Sequence, residues 1–274
     1  MLQQQLNKEK TQFTESRLTI LRKEQPVGSP FSGIDITDGR IQRLEKEYGS
    51  YCFVPLDLPR IDLGEDFKQW FFEEAKVLKK LRADVATDVY DTDGFYGIDV
   101  SPNYREYQKT LDSVWSKNFF DYFDHIWPDL YQQLGDLLPL NKIEFSIWSS
   151  TREIRPHRDE SCFLDLPADF RLLIDSNPTP NLFVSESLPD SGREAFIQTV
   201  SVPTQHGTNF FAWNNLRCKH YSVYHDQFPK LIFLFNNNMT INWKKYTALI
   251  ERSVDKYKDQ CMISKNDISD FVYL

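Results

Sequence analysis

His157 and Asp159, two side chains that ligate metals, stand two residues apart with Arg158 between them, and a second imidazole, His220, comes later in the chain, followed by Lys230. On an extended segment the side chains at i and i+2 point to the same face. His157 and Asp159 can therefore converge on one ion while Arg158 turns away. Joined by His220 they make a three-point face of two imidazoles and one carboxylate with open positions opposite, a geometry suited to a ferrous ion that activates oxygen.

Such a face needs strands to hold it, and the second half of the chain supplies them. After Pro139 short aromatic and β-branched segments recur at Ile143–Trp148, Phe170–Ile174, Asn181–Val184, Phe196–Val202, Asn209–Trp213, His220–Tyr224 and Leu231–Phe235, separated by Pro, Gly, Asn and Asp turns. This spacing predicts an all-β sandwich or barrel over about 140–237. His220 sits in one of these segments, so the chain is expected to return it to the strand of His157. A helical part is expected over about 65–138. Within it Phe67, Trp70, Phe71, Ala75, Leu78 and Leu81 keep three- and four-residue spacing, which predicts a helix over 65–82. Residues 84–104 read as a loop or edge hairpin, and two helices joined near Trp127-Pro128 follow up to Leu138. A last amphipathic helix over about 242–260 places Tyr246, Leu249, Ile250 and Val254 on one face. The polar residues 1–30 form a tail closed by Gln25-Pro26-Val27-Gly28-Ser29-Pro30, and 31–274 is expected to be a single catalytic domain.

Composition narrows the function classes. Hydrophobic residues at 41% and aromatics at 15% exclude a disordered chain. With 32 Lys+Arg against 40 Asp+Glu the formal charge is -8, which disfavours a nucleic-acid partner. No stretch reaches the roughly 18 apolar residues of a membrane span, and no signal-peptide core is present. A cytoplasmic location without membrane attachment is the expectation. Cys52, Cys162, Cys218 and Cys261 have no close spacing and read as packing residues rather than a zinc knuckle or a disulfide framework.

Pro156-His157-Arg158-Asp159, Phe170-Arg171-Leu172, His220-Tyr221-Ser222 and Phe228-Pro229-Lys230-Leu231-Ile232 together carry a resemblance. Residues 143–236 resemble the double-stranded β-helix (jelly-roll, cupin-like) core of iron(II)/2-oxoglutarate-dependent oxygenases. The likeness is to the branch of aspartyl/asparaginyl β-hydroxylase-like proteins and bacterial cis-proline hydroxylases. The resemblance implies an α+β fold, with N-terminal helices and a C-terminal helix packed on the jelly roll. It also implies Fe(II) held by His157, Asp159 and His220, with 2-oxoglutarate and O2 as cosubstrates. Lys230 stands where the family usually has an arginine and would pair with the distal carboxylate as a point charge. Arg171 matches an arginine near the cosubstrate and could supply the bidentate fork. Ser146, Trp148 and Ser222 would line the cosubstrate pocket, and Trp213 would wall the cavity.

The activity implied is hydroxylation of an unactivated C–H bond in a free amino acid or amino-acid-derived small molecule, with succinate and CO2 as co-products. The carboxylate at Asp159 argues against halogenation, since halogenases of this kind carry a small residue there. Hydroxylation of an Asp, Asn or Pro side chain in a peptide or protein is the alternative within the class. Outside it stands a cupin-like metal- or ligand-binding protein without redox chemistry. Ordinary roles compete at several positions: Arg171 could pair with Asp169 or Asp175, and Trp148 and Trp213 could simply fill a core. His125, His206 and His225 have no partner at ligand spacing. Oligomeric state is not legible.

Overall fold

The computed structural model describes residues 39–60, 95–100, 144–150, 154–158, 164–173, 182–187, 196–202, 207–223, 230–236 and 243–267. The helices expected over 65–82 and 104–138, and the tail 1–30, lie outside them. The described chain runs α1 (Gly39–Tyr48), β1 (Tyr51–Pro55), β2 (Phe95–Val100), β3 (Glu144–Ser150), β4 (Ile154–His157), β5 (Asp169–Leu173), β6 (Leu182–Ser187), β7 (Phe196–Val202), β8 (Phe210–Trp213), β9 (Cys218–Ser222), β10 (Lys230–Asn236), α2 (Trp243–Lys256) and β11 (Met262–Ile263).

Each strand segment expected after Pro139 has a counterpart. Outside the expectation fall α1, β1 and β11, whose flanks carry no strong periodicity. Residues 95–100, inside the stretch 84–104 read as a loop or edge hairpin, form an edge strand that pairs with Phe145–Ser150 of β3.

The strands make two antiparallel sheets. The larger has the order β11-β1-β8-β5-β10-β3-β2 and the smaller β4-β9-β6-β7. From β3 to β10 the chain changes sheet at every connection except the β6–β7 hairpin, so strands distant in sequence become neighbours. Each sheet buries one face against the other. Phe53, Leu173, Phe211 and Trp213 from the larger sheet meet Leu182, Val184, Val202 and Cys218 from the smaller.

The outer face of the larger sheet is also covered. On α2, Tyr246, Leu249 and Ile250 fall at three- and four-residue spacing and are buried, with the Tyr246 ring edge-on to Phe170 at 6.0 Å. Strands β5 and β8, enclosed on both sides, are buried at every position. Ser253 ties α2 down: its Oγ donates to the Leu249 carbonyl (2.6 Å) and accepts from the Asp57 amide (2.8 Å). No helix among the described residues is long and apolar enough to cross a membrane.

Gly49 closes α1 by donating its amide to the Glu45 carbonyl (2.9 Å). A Cβ there would overlap that carbonyl oxygen and lie 2.6 Å from Asp165 Oδ2 and 2.8 Å from the Asp165 carbonyl. All three are fixed atoms in a packed corner. Gly49→Ala is therefore expected to destabilise the fold by about 1–3 kcal/mol, the usual cost of overpacking. Urea unfolding checks this, and an unchanged midpoint would show that the corner yields freely.

Candidate metal centre

β4 and β9 pair with His157 directly opposite His220. Residues opposite one another in an antiparallel pair share a face, so the topology brings these two histidines together, with ring centroids 4.1 Å apart and planes at 55°. Continuing across the smaller sheet, His220 lies opposite Val184 of β6. Val184 belongs to the buried cluster between the sheets, which shows that this histidine row occupies the inner face. Ser222, two residues beyond His220 and opposite Leu182, is on the same face and buried.

The rings are held by different contacts. His157 Nδ1 lies 2.9 Å from the Arg155 carbonyl. A proton on Nδ1 would be donated to that carbonyl and leave Nε2 with its lone pair, the tautomer in which imidazole ligates a metal. His220 stacks on the indole of Trp213 from the opposite sheet, at 4.6 Å and 27°. Asp159, the expected third ligand, lies outside the described residues. Among the described residues no group of three or more His, Cys, Asp or Glu side chains is arranged to hold an ion. What they do contain is two imidazoles facing each other, one with its Nδ1 engaged by a carbonyl, and that arrangement fits two of the three expected ligands.

Register also locates the expected cosubstrate residues. Arg171 is opposite Leu234 of β10 and Phe211 of β8, and Asp169 is opposite Trp213. Leu234 is in turn opposite Ser146, Ile232 opposite Trp148, and Lys230 opposite Ser150. By backbone register Ser146, Trp148 and Lys230 lie on β3 and β10, next to the β5 strand that carries Arg171. His157, His220 and Ser222 on the smaller sheet and Arg171 on the larger thus fall on the facing sides of the two sheets.

Arg171 stands against the acid expected as its alternative partner. Its guanidinium, expected to supply a fork to a dicarboxylate, is engaged by its strand neighbour. Nη1 pairs with Asp169 Oδ1, Nη2 donates to Asp169 Oδ2 (2.9 Å), and Nη1 also donates to the Phe170 carbonyl (3.0 Å). The cause is local: Asp169 and Arg171 share a face of β5, where burial makes an unpaired charge costly. The Asp169 carboxylate also accepts from Asn215 Nδ2 (2.5 Å), and Asn215 Oδ1 accepts from Trp213 Nε1 (2.9 Å). The guanidinium carbon lies 4.9 Å from the centre of the Trp213 ring. Asn215 was not foreseen. The signal was present as two i, i+2 pairs, Asp169/Arg171 and Trp213/Asn215, each able to bond along its own strand or turn.

The described cysteines fit their role as packing residues. Cys52 and Cys218 are buried free thiols and Cys261 is part-buried. Burial raises the Cys218 thiol well above its ordinary value and pushes Cys261 up to about 12, so both stay protonated and unreactive near neutrality. Arg158, expected to turn away from the ligand face, is part-buried, and that burial lowers its guanidinium below its ordinary value.

No family model matches the chain, and no curated protein matches it. Among solved structures it is similar to a full-length Neurospora crassa protein in complex with alpha-KG, at 11% identity and a TM-score of 0.36, covering 71% of this chain and 76% of that one. It is similar to the dioxygenase for auxin oxidation 1 from Arabidopsis thaliana in complex with 2-oxoglutarate, at 11% identity and 0.36, covering 71% and 86%. A Pseudomonas putida prolyl-4-hydroxylase follows at 8% identity and 0.29, covering 71% and 96%. TM-scores of this size establish neither a common fold nor a common activity.

Proposed function

We propose that this chain is a non-haem Fe(II)/2-oxoglutarate-dependent dioxygenase that hydroxylates an unactivated C–H bond of a free amino acid or amino-acid-derived small molecule. The observation that carries the reading is the His157–His220 pair, set opposite each other across β4 and β9 on the inner face of the sandwich. The interleaved order β3-β10-β5-β8 against β4-β9-β6-β7 supports reading the core of a single domain, residues 31–274, as a double-stranded β-helix. His157, Asp159 and His220 would hold Fe(II), which when bound supplies the activation of O2. The carbonyl of Arg155 would keep His157 in its ligating tautomer. Lys230 would hold the distal carboxylate of 2-oxoglutarate, and Ser146, Trp148 and Ser222 would line that pocket. The domain would work in the cytoplasm, without a membrane or nucleic-acid partner.

The pairing of Arg171 with Asp169 favours a second reading, a cupin-like metal-binding protein without redox chemistry, because it removes one of the two cations available to a dicarboxylate. One titration separates the two. Anaerobic protein mixed with Fe(II) and 2-oxoglutarate is expected to develop a weak visible charge-transfer band. Lys230→Met is expected to raise the 2-oxoglutarate concentration needed for half the signal by about 10-fold or more, the loss of one charge-assisted contact. A protein that binds the metal but yields no band would support the cupin-like reading instead.

A further inference from the structure

We infer that Asp169, Arg171, Asn215 and Trp213 form a positioning device that sets the ring of His220. The inference rests on the metal-centre reading proposed above and assigns these residues a task in that centre. Their contacts close a ring. Asp169 grips both terminal nitrogens of Arg171, Asn215 bridges Asp169 to the Trp213 Nε1–H, and the Arg171 guanidinium lies over the indole. All four residues are buried, with exposures of 8%, 4%, 3% and 1% in the order named at the start. The indole is fixed in rotation by its N–H donor bond and in place by the cation on its face. It then presents an aromatic surface to His220 at 4.6 Å, while His157 stands 4.1 Å away.

Stability alone gives little reason for such a device. A buried ion pair is often matched or bettered by apolar side chains of the same volume, so the pair and its amide bridge are better explained by the single orientation they impose. A histidine that ligates a metal has to aim one nitrogen lone pair, and groups outside the ligand set commonly fix that aim. His157 takes its orientation from the Arg155 carbonyl within its own strand. For His220 the orienting surface comes from the other sheet, so the centre depends on how the two sheets are locked together. Arg171 thereby acquires a use that its sequence position did not suggest.

The test measures Mn(II) affinity of the full chain by the electron paramagnetic resonance signal of free Mn(II), alongside urea unfolding of each variant. Trp213→Leu is expected to weaken binding about 10-fold to 100-fold, as loss of an outer orienting group does. Trp213→Phe keeps a stacking ring but loses the N–H bound by Asn215, and is expected to weaken binding less than Trp213→Leu and about as much as Asn215→Ala. Asn215→Ala cuts the bridge with less damage to the core, is expected to weaken binding in the same direction, and carries the test should Trp213→Leu not fold. A purely structural role would lower the urea midpoint and leave the affinity of the folded protein unchanged. That result, with His220→Gln abolishing binding, would overturn the inference alone. Wild-type protein that binds no Mn(II), or binding untouched by His220→Gln, would overturn the metal centre and this inference with it.

Discussion

His157→Ala is expected to weaken Mn(II) binding by more than the roughly 100-fold that loss of an outer partner can cost, because it removes a ligand rather than its support. Succinate formation from 2-oxoglutarate should fall to background. The fold should survive. His157 is only part-buried, its ring contacts His220, and its Nδ1 contact is local to β4. Truncation of such a part-buried residue is expected to cost about 1 kcal/mol, near the centre of the range for point variants. The urea midpoint and the metal titration should therefore separate cleanly. Normal Mn(II) binding by the variant would remove His157 from the centre and take the proposed oxygenase chemistry with it.

The second large effect concerns stability. Asp165 accepts Arg217 Nε (2.6 Å), Arg217 Nη2 (2.7 Å) and Asn214 Nδ2 (2.7 Å), while its amide donates to Glu45 Oε1 (3.0 Å). Both charged side chains are 8% exposed. Burial alone would lower the Arg217 guanidinium; the hydrogen bonds and charge of Asp165 outweigh it and raise the group above its ordinary value. Asp165→Ala strands that cation beside the core and is expected to cost about 3–5 kcal/mol, a large share of the roughly 5–15 kcal/mol that holds a domain together. Adding Arg217→Met should recover part of the loss, since the buried charge goes with its partner. Urea unfolding of the single and double variants measures both. A single-variant loss below about 1 kcal/mol would mean that water reaches Arg217 and the pair is not buried in effect. The cluster matters for the site because Asn214 and Arg217 shape the turn that leads into β9, and β9 carries His220.

Much of the strand pattern could be read directly. Aromatic and β-branched enrichment between turn residues located β3 and β5 through β10 to within a few residues, because those signals are local. α1 and β1 escaped because a short helix and a short strand carry too few positions for periodicity to register. β11, two residues long, exists only because β1 offers it an edge. The sequence-level pairing of His157 with His220 had a physical basis too: a strand carrying one histidine and a later strand carrying another can be brought into register by alternating sheets.

The chemistry on offer was determined by residue types and spacing alone: two imidazoles and a carboxylate suited to one ion, and cations suited to an anionic ligand. Spacing within a strand sets which side chains share a face, and that property needs no tertiary structure. What only the tertiary structure decided was how each group is engaged. Arg171 and Asp169 engage each other between the sheets, with Asn215 and Trp213 beside them, because a buried charge takes the strongest partner at hand. The stacking of Trp213 on His220 was invisible beforehand, since it joins β8 to β9 across two sheets that the linear chain does not orient.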